Sequence, residues 1–447
     1  MYTILGAGLS GISASFHLGH EDCIVYEKNA FVGGHIYSEK INGFTWDEGP
    51  HVSFTKNEYV KNLFAENTDH EYSEYPVETA SYYHGIWIPH PAQSNLFVLP
   101  HPLKEKCFND FLVAREKFNN DFSPRNYAEW LKAAFGETFY NTFPRAYTLK
   151  YWTVDPALLT SDWVGERVFY PDIEDVRSGY LKSPEKQTHY ISKVRYPIKG
   201  GYYSYTNKIR NGMNVHINKN MESISFKNKE ICFNDGSSVE YEKLIITIPL
   251  PELISQSDAP ISVKESALQL SCSSVLLINI TANHPTSLKY NWMYVYDLDK
   301  YCTRINCTEL LSPENAPEGH TGIQVEVYFS KYKPITEPID SIVQKVTLEL
   351  IEMGILQDSS KITSMHTKFV KWANVIFDHQ RKAALNHILD YLSNFGLERN
   401  EQDLNPMTNW DNFKSSCTTQ LQLAGRFAEW KYYWTDDCIM RGKSLKG

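Results

Sequence analysis

The residues best suited to chemistry stand near the N-terminus, where glycines follow a short apolar run. Tyr2-Thr3-Ile4-Leu5 leads into Gly6, Gly8 and Gly11 with the spacing G-x-G-x-x-G. Between a strand and a helix, this spacing is typical of a dinucleotide-binding βαβ unit. We expect Gly6 to permit a tight turn, Gly8 to let the backbone approach a pyrophosphate, and Gly11 to let the helix pack closely on the sheet. The first amides of that helix should then face the phosphates.

Two further features indicate which dinucleotide is bound. Glu27 ends a second predicted strand, where its carboxylate can accept hydrogen bonds from a ribose diol. Gly33 and Gly34 follow six residues later, and an aromatic stretch then leads to Gly-Pro-His51. The second glycine pair resembles the extended fingerprint of FAD proteins of the glutathione-reductase-like class, and the resemblance implies FAD. An ordinary glycine turn is the alternative, but it would not explain the agreement of strand, helix and acidic residue.

Composition sets the remaining bounds. The 447 residues are 42% hydrophobic and 22% charged, with a net charge of −9. No lysine- or arginine-rich tract is present, which argues against nucleic acid or an anionic membrane as the main partner. No apolar run reaches the roughly 18 residues that a membrane span needs, so we expect no stable membrane insertion. The eight cysteines are scattered, which favours reduced thiols in a cytoplasmic protein without a signal peptide and indicates no metal site.

Hydrophobic periodicity predicts an α/β fold of interleaved segments. After the βαβ start, residues 100–170 have helical spacing, residues 195–250 return to strands, and residues 274–329 alternate as an antiparallel sheet would. We expect a glutathione-reductase-like FAD-binding Rossmann fold with an inserted antiparallel sheet and a helical substrate domain. The predicted segments are 1–80, 196–255 and 381–447 for FAD binding, the last with a C-terminal helix, 81–195 for the mainly helical substrate domain, and 256–380 for the antiparallel-sheet substrate domain.

An ordered set of motifs extends over nearly the whole chain. The set resembles UDP-galactopyranose mutases, more closely the eukaryotic type, and the flavin oxidoreductases of protoporphyrinogen oxidase type that share much of this scaffold. Each motif alone is modest, and the order is specific for the superfamily more than for the mutase reaction. The motifs are Gly85–Asn95, Phe143–Trp152, Trp163–Val168, Tyr196–Tyr202, Tyr301–Arg304 and Gly425–Tyr433.

The resemblance implies a pocket for a nucleotide sugar. Such a ligand requires guanidinium groups for its diphosphate and rings or amides for its base and sugar. By resemblance, Arg167 and Arg304 would hold the diphosphate and sugar, and Tyr432 would donate from its hydroxyl. Trp152 would line the sugar side, and Gln93 would read the base edge. Each arginine could instead form an ordinary surface ion pair, and Trp152 could be a core residue.

The resemblance also implies a flavin site. His51 would sit beside the flavin and, with Arg304, would act in catalysis. Gly425 and Arg426 would place backbone amides and a cation near the isoalloxazine, which helps to stabilise a reduced anionic flavin. The alternative for His51 is an ordinary hydrogen-bonded loop histidine.

Two departures from the eukaryotic mutases concern the substrate. Where those enzymes have an aromatic pair around the base-reading glutamine, this chain has His90 and Ala92, so base stacking should be weaker unless Phe54 or Trp87 restores it. Where they have a tyrosine-proline pair whose hydroxyl reaches the diphosphate, this chain has Asn374 nearby, which could supply an amide. These changes leave the nucleotide open.

We therefore expect a FAD-dependent, nucleotide-sugar pyranose/furanose mutase-like enzyme of surface polysaccharide synthesis, with reduced flavin as the nucleophile. NAD(P)H or another reductant would reduce the flavin, and a homo-oligomer is compatible with the resemblance. The alternative is a FAD-dependent oxidoreductase acting on an amine, a sugar or a protoporphyrinogen. A third interpretation is a flavin-binding protein without catalytic activity.

Overall fold

A computed structural model describes residues 1–118, 122–168, 170–183, 191–413 and 419–446. In chain order the strands are β1 (Tyr2–Leu5), β2 (Cys23–Tyr26), β3 (Glu39–Ile41), β4 (Phe44–Trp46), β5 (Tyr72–Pro76), β6 (Thr79–Tyr83), β7 (Ile86–Pro89), β8 (Lys193–Pro197), β9 (Val215–His216), β10 (Met221–Ser225), β11 (Glu230–Phe233), β12 (Ser238–Glu240), β13 (Lys243–Ile246), β14 (Cys272–Ala282), β15 (Trp292–Val295), β16 (Arg304–Cys307), β17 (Thr321–Phe329), β18 (Ile362–Val375) and β19 (Leu421–Leu423). The α-helices are α1 (Leu9–Leu18), α2 (Glu58–Asn67), α3 (His101–Lys117), α4 (Tyr127–Phe135), α5 (Glu137–Thr142), α6 (Pro144–Tyr151), α7 (Ile173–Leu181), α8 (Leu250–Ser255), α9 (Ile261–Gln269), α10 (Ile339–Glu352), α11 (Arg381–Ser393) and α12 (Thr435–Ser444).

The glycine-rich start belongs to a parallel sheet with the strand order β19-β13-β1-β2-β9. Strand β1 lies at its centre and pairs in parallel with both β2 and β13. The buried residues of β13, Leu244, Ile245 and Ile246, have the continuous apolar pattern of a strand covered on both faces. Strand β13 thus joins the sheet of the glycine-rich βαβ unit, and the predicted glutathione-reductase-like fold class is confirmed.

A second, seven-stranded sheet has the order β18-β14-β17-β16-β15-β6-β7 and is antiparallel except for the β15–β6 pair. In β17 successive side chains point to opposite faces. Ile323, Val325 and Val327 belong to the apolar core that α10 covers. The alternate residues Glu326 and Tyr328 line the cleft on the other face. The sheet therefore presents apolar residues to its helix and polar residues to the cleft.

The predicted helical stretch contains α3 to α6, and the predicted strand segments between residues 274 and 329 all join the seven-stranded sheet. Strand β18, residues 362–375, is a long element that the sequence did not reveal. Strands β6 and β7 also join this sheet, although residues 81–195 were expected to be mainly helical. The exact segment limits stay a prediction. The described cysteines carry free thiols, and Cys417 lies outside the described residues.

Candidate active site

A cleft of about 1080 Å³ lies where the parallel sheet meets the seven-stranded sheet. Both units contribute to its walls, and most of the residues predicted for a flavin site face it. The predicted site residues that line it are Gly6, Gly8, Glu27, Gly33, Gly34, His51, Arg304, Gly425, Arg426 and Tyr432. The predicted site residues outside its lining are Gly11, Gln93, Trp152 and Arg167.

The first three glycines have distinct local geometries. Gly6 has a φ of +97°, which side chains rarely adopt, at the turn out of β1. Gly8 lines the cleft, and a Cβ built on it would meet no protein atom within 4 Å. A Cβ on Gly11 would come within 2.1 Å of the Gly6 carbonyl oxygen. These positions give a tight turn, an open approach from the cleft and close helix packing.

The walls beside Gly8 supply polar groups for a dinucleotide. Helix α1 begins after Gly8 without a side-chain cap, so its first amides are available to an anion. Gly33 donates its amide to the carbonyl of Ala7 at 2.8 Å, which brings the second glycine pair against the first loop. Glu27 is buried, and its Oε2 accepts from the Ala7 amide at 2.7 Å. This fixes the carboxylate at the end of β2.

Sequence reasoning missed one end of the cleft. Lys219, Asn220 and Met221 follow β9, whereas Thr247 and Pro249 follow β13, and all five line the cleft beyond Glu27. They lie past the carboxyl ends of parallel strands, the edge at which open α/β sheets bind ligands. Their place after a predicted parallel strand could have indicated them. However, that rule requires the order of the strands, which only the folded sheet shows.

His51 lines the cleft directly after the Gly49-Pro50 turn. Its amide donates to the carbonyl of Gly49 at 2.8 Å, in a turn where Gly49 has a φ of +92°. Burial, and then the nearby Arg304 charge, lowers the pKa of His51 to about 4. The Nδ1 atom of His51 is buried without a hydrogen-bond partner among the described residues. His51 is therefore neutral at neutral pH, with a ring nitrogen left for a ligand.

Glu48, next to this turn, is another cleft residue that the sequence motifs did not single out. Its Oε2 lies 2.8 Å from Nδ1 of His35, and its Oε1 accepts from Nζ of Lys368 at 2.6 Å. Burial opposes ionisation, but the interactions with His35 and with the Lys368 ammonium lower the pKa of Glu48 to about 2. Glu48 is therefore ionised at neutral pH.

Arg304 lines the cleft together with Glu326 and Tyr328, and it is already paired with a carboxylate. Its Nε donates to Glu326 Oε2 at 2.6 Å, and its Nη2 donates to Oε1 at 2.7 Å. Tyr328 donates its hydroxyl to the same carboxylate at 3.0 Å. This side-on pair occupies one edge of the guanidinium and leaves Nη1 for a ligand. Glu326 is the one acidic residue of β17, and no local pattern indicates which residue it pairs with.

A second cluster at this end contains Asn374, which the sequence marked as a departure. Asn374 Oδ1 accepts from Nη2 of Arg426 at 3.0 Å and from the Tyr151 hydroxyl at 3.2 Å. Because its oxygen accepts these two bonds, the amide nitrogen of Asn374 is left as a donor. Tyr432 lies nearby, with its ring 5.6 Å from the Arg426 guanidinium. This end of the cleft is therefore rich in hydrogen-bond donors.

Arg167 and Trp152 lie behind Tyr432. Arg167 donates from Nη2 to Asp437 Oδ2 at 3.0 Å and to the Tyr432 carbonyl at 3.1 Å, and its guanidinium lies 3.3 Å from the Trp434 ring centroid. Trp152 is 5% exposed and packs among aromatic rings, with Trp163 5.0 Å away. In this structure Arg167 supports the cleft wall and Trp152 is a core residue.

The residues predicted for base recognition lie away from the cleft. Gln93 is half-buried on a 3₁₀ turn, Ala92–Ser94, and Ala92 is buried. The His90 ring lies 4.9 Å from that of Tyr294. Of the two aromatics that could restore a base stack, Phe54 lines the cleft, whereas Trp87 packs against Tyr82 and does not. The geometry therefore brings Phe54, but not Gln93, to the cleft.

Comparison with known proteins identifies the family to which this fold belongs. The model of the flavin containing amine oxidoreductase family matches residues 9–419. The chain belongs to this family. Two solved structures share its fold across the full length of this chain. One is a reduced UDP-galactopyranose mutase, at 23% identity, a TM-score of 0.86 and 94% coverage of that chain. The other is a putative protoporphyrinogen oxidase from Exiguobacterium sp. 255-15, at 13% identity, a TM-score of 0.69 and 97% coverage of that chain.

A sequence relative extends the comparison. A 4,4'-diapophytoene desaturase (4,4'-diaponeurosporene-forming) from Staphylococcus aureus (strain bovine RF122 / ET3-1) is 24% identical over 318 residues, which are 61% of each chain. The present chain thus spans about three-fifths of the length of that desaturase. Membership of the flavin containing amine oxidoreductase family supports FAD as the cofactor.

The cleft fits FAD on its own geometry. The open space in front of Gly8, the uncapped start of α1 and the fixed Glu27 carboxylate suit a pyrophosphate and a ribose. The buried, unpartnered Nδ1 of His51 and the guanidinium of Arg426 suit the polar edge of a flavin. Among the described residues, no helix has the length and apolar character of a membrane span.

Proposed function

We propose that this enzyme is a nucleotide-sugar pyranose/furanose mutase that works with reduced FAD. One observation carries the proposal: the substrate half of the cleft is lined by hydroxyl, amide and guanidinium groups, from Tyr151, Tyr328, Asn374, Arg304 and Tyr432. An acceptor-rich ligand such as a sugar phosphate suits this donor-rich wall. The fold shared with a reduced UDP-galactopyranose mutase supports the same choice.

Each residue has a role within this proposal. Arg304, held side-on by Glu326, would present its free Nη1 to a phosphate. Tyr432 would donate its hydroxyl, since burial raises its pKa and keeps it protonated. Neutral His51 would hydrogen-bond the flavin without adding charge, and Arg426 would stabilise negative charge there. Bound reduced flavin supplies the nucleophilic electron pair, and the protein mainly positions the reactants and stabilises charge.

The nucleotide is the second part of the proposal. His90 and Ala92 provide one ring where a base sandwich requires two faces, and Gln93 lies outside the cleft lining. A stack of one base on an aromatic side chain contributes about 1 to 3 kcal/mol. We infer that the site is less committed to uridine than the eukaryotic mutases are. Phe54, on the cleft wall, is the residue that could supply the missing ring.

Competition binding of UDP, dTDP, GDP and CDP to the reduced protein tests the nucleotide. A preference for UDP of about tenfold over the others, equivalent to about 1.4 kcal/mol, would contradict reduced commitment to uridine. If none of the four nucleotides binds, the result would contradict a nucleotide-sugar substrate altogether. Product analysis with the preferred nucleotide sugar then tests the reaction, since a mutase conserves mass and requires the flavin to be reduced.

A net oxidation is the second candidate, and the match to the flavin containing amine oxidoreductase family favours it. In that case oxidised FAD would accept a hydride from an amine, a sugar or a protoporphyrinogen. Substrate would then bleach the yellow flavin without added reductant, and air would regenerate it with release of peroxide. Anaerobic mixing of the oxidised protein with candidate substrates distinguishes the two reactions, because a mutase substrate would leave the oxidised spectrum in place.

A further inference from the structure

Strand β18 lies at the edge of the seven-stranded sheet and contributes to the cleft wall. Along one edge it pairs with β14, and in the described structure no strand pairs with its other edge. Residues 368–372 of this strand, called the strap below, include four that line the cleft: Lys368, Val370, Lys371 and Trp372. The strap belongs to the seven-stranded sheet, whereas the glycine loops opposite belong to the FAD-binding unit. Contacts between them therefore join the two sheets at the cleft.

The first such contact is made by Glu48, which follows β4 in the FAD-binding unit. Its carboxylate binds Lys368 of the strap at 2.6 Å and lies 2.8 Å from Nδ1 of His35, which follows the second glycine pair. The Glu48 side chain is only 11% exposed. One carboxylate thus joins the strap to the loop of the second glycine pair and to the turn that precedes His51.

The second contact lies at the other end of the strap. Glu252, on α8 after β13, accepts from Nζ of Lys371 at 3.0 Å and from Nε1 of Trp372 at 2.9 Å. Its other oxygen lies 3.6 Å from Nζ of Lys28, the residue after Glu27. Lys28 and Glu252 line the cleft as well. This carboxylate joins the strap to the ribose-binding end of the parallel sheet.

We propose that Glu48 and Glu252 are two clasps that fasten the strap across the cleft and retain FAD. Both carboxylates come from the cofactor-binding unit, and each binds a lysine of the same short stretch of the opposite sheet. If the pairs act in this way, separating them should speed the release of a dinucleotide that lies between the glycine loops and the strap. All four residues of these two pairs line the cleft, which distinguishes them from ion pairs elsewhere on the surface.

The rate of FAD release tests the clasps without reference to activity. Holoenzyme is diluted, and release is followed as the rise in flavin fluorescence for Glu48→Gln, Glu252→Gln and the double variant. Ion pairs with at least one partly exposed partner have modest effects, of up to about fivefold, so each single variant should release FAD about two- to fivefold faster. The double variant should show the product of the two factors. Salt should accelerate release in the wild type and less in the double variant.

Glu337→Gln is the matched control, because Glu337 pairs with Lys345 at 2.7 Å outside the cleft lining. It should leave FAD release unchanged. A double-mutant cycle of Glu48→Gln with Lys368→Met shows whether the two residues act through their pair, since coupled residues give non-additive effects. Lys371→Met opens the second clasp from the strap side if Glu252→Gln fails to fold. A folded double variant with the wild-type release rate and salt dependence would overturn the proposal.

Discussion

Replacing either of two glycines of the first loop with alanine should distinguish the requirements of cofactor binding from those of folding. Gly8 has a φ of −70° and no protein atom within 4 Å of an added Cβ, so Gly8→Ala should fold without strain. Its stability should rise by about 0.4 to 1 kcal/mol, because alanine restricts the unfolded chain. The new methyl group would project where backbone and pyrophosphate meet. Loss of one charge-assisted contact costs about 1.5 to 3 kcal/mol, which weakens FAD binding tenfold or more.

Gly11→Ala should behave in the opposite way. Its Cβ would lie 2.1 Å from the Gly6 carbonyl oxygen, a backbone atom that cannot turn aside. Overpacking of this kind costs about 1 to 3 kcal/mol, and the cost should appear in the apoprotein. Urea unfolding of both apoproteins measures the free energy of unfolding, and fluorescence titration measures FAD affinity. Wild-type FAD affinity in Gly8→Ala, or wild-type stability in Gly11→Ala, would refute the roles assigned to these residues.

Three further predictions concern the cofactor and the substrate end. Purified protein should be yellow, and denaturation should release intact FAD into the supernatant, where chromatography identifies it. Arg304→Ala should weaken substrate binding about tenfold and, by leaving Glu326 buried without its cation, lower the free energy of unfolding by about 3 kcal/mol; adding Glu326→Gln should restore stability in urea but not substrate binding. Because the pKa of His51 is lowered to about 4, its neutral form stabilises the fold above the unfolded-state pKa of about 6.5. That contribution should be lost as pH falls from about 6.5 to 4, by up to about 1.4 kcal/mol per pH unit. The free energy of unfolding of His51→Gln, measured by urea unfolding at several pH values, should therefore change less with pH in this range than that of the wild type.

The nucleotide-binding half could be predicted because its signals are local. The turn at Gly6, the approach at Gly8 and the close packing at Gly11 are requirements of backbone and Cβ geometry within a few residues. The alternating strands of the second sheet are local in the same sense, since a two-residue period follows from the pleat. The family resemblance then led correctly to FAD and to the fold class.

The substrate half depended on pairings that no local pattern contains. Arg304 is followed 22 residues later by Glu326, and Arg167 meets Asp437 across 270 residues. Only strand order and packing decide that these charges meet, and a paired arginine offers fewer donors than a free one. Trp152 and Gln93 are likewise excluded from the cleft lining by how α6 and the 92–94 turn pack. Sequence alone therefore determined the cofactor unit. Tertiary structure decided which polar groups remain available to the substrate, because burial and long-range pairing determine which hydrogen-bond donors and acceptors are left without a protein partner.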